Sequence, residues 1–448
     1  MSLAEVRKRL PVVTSLPKQG SRFDRLEDRN SGRRPKWAIW ELTLACDQKC
    51  VHCGPRAGKK RPHELSTEEC MMVIEELKQL GCGEVVLIGG EAYLRNDFIL
   101  IIRAIREAGM ACTLTTGGLN MSEERAEAMV EAGVSSVSFS VDGLEASHDR
   151  VRGVPGSWRR VFEALRRVKK AGAQVACNTQ INRLTRVELL PLLELIAPEG
   201  IHSWQLQITA AHGNAADNPE ILLQPYMMLE LFDTLDLVIK RCNELKIRVW
   251  PANSLGYFGP LERRLRAAVG SYWRGCPAGV NTLGIDSDGG LKNCPSLGGP
   301  LNVGGHWRDK GIREVWDETY QLQYIRNRTV DDLWGYCRDC YYNTACMAGC
   351  TAISEPLLGR PGNNPFCHHR ALMLDREGLR ERIEHVQDAP GESFDNGLFR
   401  VIREHKDPAL RAEHGPVQVD EPRVSRAVEP NGPGRPVEGL PPLGPCPD

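Results

Sequence analysis

The chain has 448 residues, 41% hydrophobic and 26% charged, with a formal net charge of -1; this is globular material, long enough for two or three domains with a substantial core. So balanced a charge gives no global pull toward nucleic acid or an anionic membrane, and no apolar run approaches the roughly 18–20 residues of a membrane span. The N-terminus, "MSLAEVRKRLPVVTSLPKQG", lacks the apolar core of a secretory signal, so the expectation is a cytoplasmic protein with neither nucleic acid nor membrane as partner.

Residues 1–36 are Arg-rich and lack an apolar period, and read as a basic N-terminal arm. Six short β-rich segments follow, at 37–44, 85–90, 111–116, 136–142, 175–181 and 204–209. Segments of helical period separate them. In "STEECMMVIEELKQLG" Cys70, Val73, Ile74 and Leu77 share one face, and Ser66 with Glu69 makes a capping box. "NDFILIIRAIREAG", "SEERAEAMVEAG" and "SWRRVFEALRRVKKAG" each stop at a glycine. Such alternation predicts an α/β fold with a parallel sheet and right-handed crossovers, as a barrel, a partial barrel or an open sheet. Functional groups then gather at the C-terminal ends of the strands.

After residue 210 the alternation is expected to stop. Residues 216–275 read as a helical bridge, with a helix over 226–245, and 276–370 as a loop-rich, cysteine-rich module. Within it "VNTLGIDSDGGLKNC" predicts a hairpin turning at Asp286 to Gly290. Residues 371–414 read as a C-terminal helical segment. The last 34 residues, with nine prolines, read as a flexible tail over 415–448.

Sixteen cysteines are many for a reducing compartment, where clustered thiols more often bind metal or do catalysis than form disulfides. Cys70, Cys82, Cys112, Cys177, Cys242 and Cys446 are scattered and read as small buried hydrophobes or incidental thiols. Cys46, Cys50 and Cys53, in "CDQKCVHC", lie just past the first strand. Three thiolates at this spacing suit three corners of a cubane iron–sulfur cluster, which ordinarily takes four. The missing fourth ligand leaves one iron open to something else. A zinc site is the competing reading of the motif alone.

The Cys46-x3-Cys50-x2-Cys53 loop resembles that of the radical S-adenosylmethionine (radical SAM) superfamily. The resemblance implies a partial (β/α)6 TIM-like barrel and a [4Fe-4S] cluster whose open iron is chelated by SAM. It implies reductive cleavage of SAM to methionine and a 5′-deoxyadenosyl radical, which abstracts hydrogen from the substrate. By the same resemblance Gly89, Gly90 and Glu91 bind the methionyl amino group. Two glycines would let backbone approach the ligand, and a carboxylate suits an ammonium. Ser140 and Arg152 would hold the SAM carboxylate, with Thr116 and Asn178 as further SAM contacts. Two departures are noted: His52 stands where an aromatic residue is frequent, and Ala92-Tyr93 where Pro is usual. Tyr93 reads as a packing residue in preference to a substrate contact.

Cys276, Cys294, Cys337, Cys340, Cys346, Cys350 and Cys367 form a later series that resembles the SPASM domain of peptide- and protein-modifying radical SAM enzymes. That likeness implies two auxiliary [4Fe-4S] clusters, three clusters in all. Cys337, Cys340, Cys346 and Cys367 would ligate one completely. Cys276, Cys294 and Cys350 would ligate the other with a corner open or held by a non-cysteine group, unless Cys242 fills it. The competing reading is an all-thiolate zinc knuckle.

Among SPASM enzymes, sulfatase maturases carry an Asp base right after the cysteine matching Cys294, where this chain has Pro295. The better match is to maturases of ribosomally made peptides, which form crosslinks or thioethers, excise fragments or oxidise residues. A small-molecule cofactor or natural-product precursor is the alternative substrate, and a non-enzymatic iron–sulfur carrier the least favoured reading. Implied partners are a precursor peptide and a low-potential electron donor, flavodoxin or ferredoxin. The leader would be recognised by the barrel surface, the basic arm or a separate peptide-recognition protein. Gln180, Gln205, Gln207 and His212, at or beyond strand ends, are candidates for the substrate pocket, with Gln205 and Gln207 on one face of their strand.

Overall fold

The computed structural model describes residues 34–270 and 272–420; most of the basic arm and of the proline-rich tail, with Cys446, lies outside the described residues. Strands β1 (Trp37–Glu41), β2 (Glu84–Ile88), β3 (Ala111–Thr116), β4 (Ser136–Ser140), β5 (Gln174–Ile181) and β6 (Ser203–Ile208) lie side by side in chain order, all parallel. Helices α1 (Thr67–Gln79), α2 (Phe98–Glu107), α3 (Glu123–Glu131), α4 (Glu145–Arg152), α5 (Ser157–Ala171) and α6 (Leu189–Ile196) fill the crossovers. The fold is α/β, with six parallel strands in an open sheet, as the alternation predicts.

The predicted cap of α1 forms: Ser66 Oγ accepts the Glu69 N–H at 3.2 Å, and Glu69 Oε2 accepts the Ser66 N–H at 2.8 Å. Cys70, Val73, Ile74 and Leu77 are its buried face. One sheet face packs under the helices through Trp40, Leu87, Leu114, Phe139 and Leu206. Over β4 to β6 the other face is polar. Registers set Ser140 beside Asn178, Asn178 beside Gln205, and Gln180 beside Gln207. Strand alternation therefore puts these side chains on one surface, away from the apolar layer.

Three expectations are corrected. The 216–275 bridge is not purely helical: helix α7 (Met228–Glu244) leads into β7 (Arg248–Pro251), which pairs parallel to β6. A four-residue edge strand ending in proline is too short to show a period. The hairpin around Asp286 forms, as β8 (Thr282–Ile285) and β9 (Gly290–Lys292), but β8 pairs parallel to β1, and β10 (Val303–His306) adds to β9. The start of the cysteine-rich region thus extends the main sheet.

The third correction concerns 371–414. Helices α8 (Ile312–Glu318), α9 (Tyr320–Asn327), α10 (Thr351–Leu358) and α11 (His368–Arg376) precede an antiparallel sheet in place of a helical segment. That sheet is β11 (Leu379–Gln387), β12 (Leu398–His405) and β13 (Val417–Asp420). Arg380 and Arg382 pair with Glu404, and Arg400 with Glu384, so charges that favour a helix in isolation bridge neighbouring strands. Among the described residues no helix is long and apolar enough to cross a membrane.

Candidate functional site

The three-cysteine loop begins at the C-terminal end of β1 and is fastened from three directions. Glu64 accepts from Thr43 Oγ1 and the Leu44 N–H, both at 2.9 Å. The Gly90 and Glu91 N–H groups donate to the Thr43 and Ala45 carbonyls at 2.8 and 2.7 Å. The last carbonyls of α4, on Val151 and Arg152, accept the Val51 and Lys49 N–H groups at 2.9 and 3.2 Å. A Cβ on Gly90 would stand 2.3 Å from the Ala45 oxygen. Gly90 therefore permits a close approach of its backbone to the cysteine loop.

Cys46, Cys50 and Cys53 meet there. Burial pushes the Cys53 thiol up to about 12, and Cys50 acts on both neighbours. Thiols held this near one another, with Cys50 buried, become thiolates most readily beside a strong positive charge, which bound metal supplies. Arg152 Nη1 lies 3.8 Å from Cys50 Sγ, and Glu91 adds negative charge near Cys46.

The expected SAM contacts are all drawn to this end of the sheet, several with partners that sequence did not foresee. Glu91 accepts from Thr116 Oγ1 at 2.6 Å and from the Gly117 N–H at 2.9 Å, and burial lifts its carboxyl to about 8. Thr116 thus orients Glu91. Ser140 Oγ and Asn178 Oδ1 lie 3.3 Å apart. Arg152 is paired at 2.7 Å with fully buried Asp142, whose carboxyl it holds low against the opposing effect of burial. Its Nε is buried with no partner among the described residues, so a donor remains for an anion. His52 lies 3.8 Å from the same aspartate, held near 4 by burial. Tyr93 is buried, its hydroxyl donating to Asp47 at 2.7 Å, which bears out the packing reading.

The later cysteines fall into two groups. Cys276 acts electrostatically on Cys294, and both act on Cys350. Cys337, Cys340 and Cys367 act on Cys346. On Cys242, buried in α7, burial alone acts. Cys70, Cys82, Cys112 and Cys177 are likewise buried. Arg328, near Cys276 and Cys337, buries Nε and Nη2 with no hydrogen-bond partner among the described residues. A buried guanidinium left so is costly unless an anion meets it, and an anionic thiolate cluster would.

Among the described residues no three Cys, His, Asp or Glu side chains converge on a single-ion site.

Sequence reasoning missed the wall of the site's mouth. Glu41, one residue past the paired Trp40 and Ile285, takes a bidentate pair from Arg61 at 2.6 and 3.1 Å. Despite burial, Arg61 and Lys292 hold its carboxyl low, while burial and Glu41 push Asp286 up. Lys292, fully buried, pairs with Asp286 at 2.5 Å and lies 4.0 Å over the Phe394 ring. Phe394, at the β11–β12 tip, stacks on buried His212 with centroids 5.8 Å apart. Arg56 clamps this tip through Asp395 at 2.9 and 3.2 Å. Gln180 keeps a buried Oε1 without a partner among the described residues on the face it shares with Gln207. Of these, His212, Gln180 and Gln207 were expected at the pocket; Glu41, Arg61, Lys292, Phe394 and Arg56 depend on tertiary pairing that no local pattern shows.

The Radical SAM superfamily profile matches residues 40–185. The chain is 27% identical over 349 residues to an AdoMet-dependent heme synthase of Methanosarcina barkeri, covering 75% of this chain and 97% of that protein. It is 28% identical over 392 residues to the mycofactocin maturase MftC of Mycobacterium ulcerans, covering 84% and 98%. Two solved structures share the fold. SuiB of Streptococcus suis bound to S-adenosylmethionine has a TM-score of 0.58 at 15% identity, over 71% of this chain and 74% of that one. anSMEcpe with bound AdoMet has a TM-score of 0.59 at 16% identity, over 75% and 94%.

Proposed function

With residues 40–185 a radical SAM domain and the chain an enzyme of that superfamily, we propose that it modifies a ribosomally made peptide by hydrogen abstraction. Cys46, Cys50 and Cys53 hold a [4Fe-4S] cluster that leaves one iron to SAM. When bound, cluster and SAM together supply a 5′-deoxyadenosyl radical, drawing an electron from flavodoxin or ferredoxin. Glu91, oriented by Thr116 and Gly117, faces the amino group, with the Gly89–Gly90 backbone beneath it. Arg152, with Ser140 and Asn178, takes the carboxylate through the guanidinium face that Asp142 leaves free. Residues 276–370 form a SPASM domain, with Cys276, Cys294 and Cys350 at one auxiliary cluster and Cys337, Cys340, Cys346 and Cys367 at the other.

The observation that carries this reading is the meeting of three thiols, buried Cys50 between half-buried Cys46 and Cys53, at the end of β1 with Glu91 and Arg152 acting on them. The peptide substrate is supported by the likeness to a mycofactocin maturase along nearly the whole of that protein. Side-chain amides of Asn178, Gln180, Gln205 and Gln207 on one face suit hydrogen bonding to peptide groups. A second reading, a small-molecule precursor, is supported by the relatives named as heme synthases. Pro295 after Cys294 offers no proton acceptor, which speaks against formylglycine formation.

Anaerobically reconstituted full chain, given dithionite and SAM, is expected to release 5′-deoxyadenosine, and the Cys46→Ala/Cys50→Ala/Cys53→Ala variant none. Absence of that product from wild type overturns the chemistry. A peptide encoded beside the gene is then incubated and weighed: loss of two hydrogens or of a fragment supports peptide maturation. An unchanged mass alongside turnover of a small precursor replaces it with the second reading.

A further inference from the structure

Two stretches of backbone far apart in sequence adopt the left-handed conformation that side chains avoid. Tyr257 and Phe258 have φ of 78° and 56°, and Met347 and Ala348 have 52° and 57°, followed by Gly349 at 65°. Such strain persists where the surroundings over-determine it. Here the two stretches are locked against each other. The buried Tyr257 hydroxyl donates to the Asn253 carbonyl and accepts the Cys350 N–H at 3.0 Å. Its own carbonyl oxygen lies 3.8 Å from Cys367 Sγ. A Cβ on Gly349 would stand 2.5 Å from Tyr257 Cζ, so the turn between Cys346 and Cys350 is moulded on this ring. Trp273 meets the ring edge-on, centroids 5.1 Å apart, and donates from Nε1 to the Cys346 carbonyl at 3.0 Å. Phe258 stacks on Tyr342, between Cys340 and Cys346, at 4.6 Å.

Tyr257 therefore touches one cysteine of each group, Cys350 through its hydroxyl and Cys367 through its carbonyl. The left-handed turn at 347–349 sends Cys346 to one group and Cys350 to the other. We propose that Tyr257 is a positioning residue that fixes the spacing of the two auxiliary iron–sulfur sites, an inference that rests on the auxiliary-cluster reading above. The phenol also engages the Cys350 N–H, which would otherwise be free to turn onto sulfur, and hydrogen bonds to sulfur set a cluster's potential.

The test is an EPR-monitored redox titration of the reconstituted full chain, wild type against Tyr257→Phe, with iron and sulfide counted for both. Tyr257→Phe keeps the ring and drops the hydroxyl. It is expected to retain about twelve irons per chain and to shift one auxiliary site to higher potential. The shift expected is at least a tenfold change in the reduced-to-oxidised ratio at fixed poise, about 59 mV for one electron. Tyr257→Leu is expected to alter the spin–spin coupling between the two reduced auxiliary sites as well. About twelve irons in both proteins with superimposable titrations overturns the inference and leaves the cluster reading standing. About four irons in wild type overturns the cluster reading itself, and the inference with it.

Discussion

Arg56 stands three residues beyond Cys53 and holds the β11–β12 tip in the mouth of the sheet, so Arg56→Ala asks how firmly that mouth is shut. The substitution removes two charge-assisted bonds to Asp395, one to the Glu392 carbonyl at 3.1 Å and one to the Gly213 carbonyl at 3.1 Å. The Asp217 side chain is 44% exposed, so its share of the clamp is at most about 1 kcal/mol. Asp395 is 6% exposed, and there the loss is larger, since hydrogen bonds to charged groups are worth about 1.5–3 kcal/mol. The tip keeps the Phe394 N–H on the Gly54 carbonyl at 3.0 Å and the Gly213 N–H on the Asp395 carbonyl at 2.9 Å. Arg56→Ala therefore leaves the fold intact and makes local opening easier by about 2–4 kcal/mol. At about 1.4 kcal/mol per factor of ten, amides of the tip exchange roughly 30- to 1,000-fold faster. Hydrogen–deuterium exchange with mass spectrometry on the full chain reads this directly, with β2 and β3 as unchanged references. Wild-type exchange across 388–397 in the variant would refute the clamp.

Gly90→Ala puts a methyl 2.3 Å from the Ala45 oxygen and 2.5 Å from that of Leu44, costing about 3 kcal/mol; urea unfolding should show it, together with iron lost from the three-cysteine loop, and a wild-type midpoint would refute the packing. Arg370→Ala leaves Glu381 and Asp420, each at most 3% exposed, without the guanidinium both contact. A loss of about 3–5 kcal/mol in urea unfolding is expected; a change under about 1 kcal/mol contradicts it. Burial holds His52, His148, His212 and His368 near 4, below their ordinary 6.5. The unfolded chain therefore gains protons below about 6.5 that the folded chain refuses until about 4. Their stabilisation is complete above that window and lost as pH falls through it. Glu91 and Glu355, raised to about 8 and 7, act in the opposite sense but are outnumbered. Metal-free protein should thus unfold at lower urea at pH 5.5 than at pH 7.5, and equal midpoints would refute the sign.

Where a residue's role depends on its neighbours in sequence, it was legible before folding. Ser66 and Glu69 cap α1 because they stand three apart, and Cys70, Val73, Ile74 and Leu77 share a face because a helix turns every 3.6 residues. The later cysteines are a different case: Cys346 and Cys350, only four apart, interact with different cysteines, Cys346 with Cys337, Cys340 and Cys367 and Cys350 with Cys276 and Cys294. No periodicity argument would part them. The structure parts them with three left-handed residues in a row, two of them not glycine.

The C-terminal sheet shows why the rest stayed hidden. "LRERIEHVQ" is rich in arginine and glutamate, which favour a helix when the chain is considered alone. In β11 the same residues have cross-strand partners: Glu381 meets Arg403 at 2.8 Å and the buried Arg370 at 2.7 Å, and Glu384 meets Arg400 at 2.8 Å. Propensity is worth tenths of a kilocalorie per residue, whereas leaving a buried charge such as Glu381 or Arg370 without its partner costs about 3–5 kcal/mol. Partners 16 to 24 residues away, or on α11, are invisible to a local window. The error then propagates to the site. A helix over 371–414 would have no hairpin tip, and so nothing to bring Phe394 against His212 and Lys292 or Asp395 to Arg56. Misreading one charged strand thus removed the hairpin side of the mouth, while the cysteine loop at the end of β1 could be singled out from eight residues of sequence.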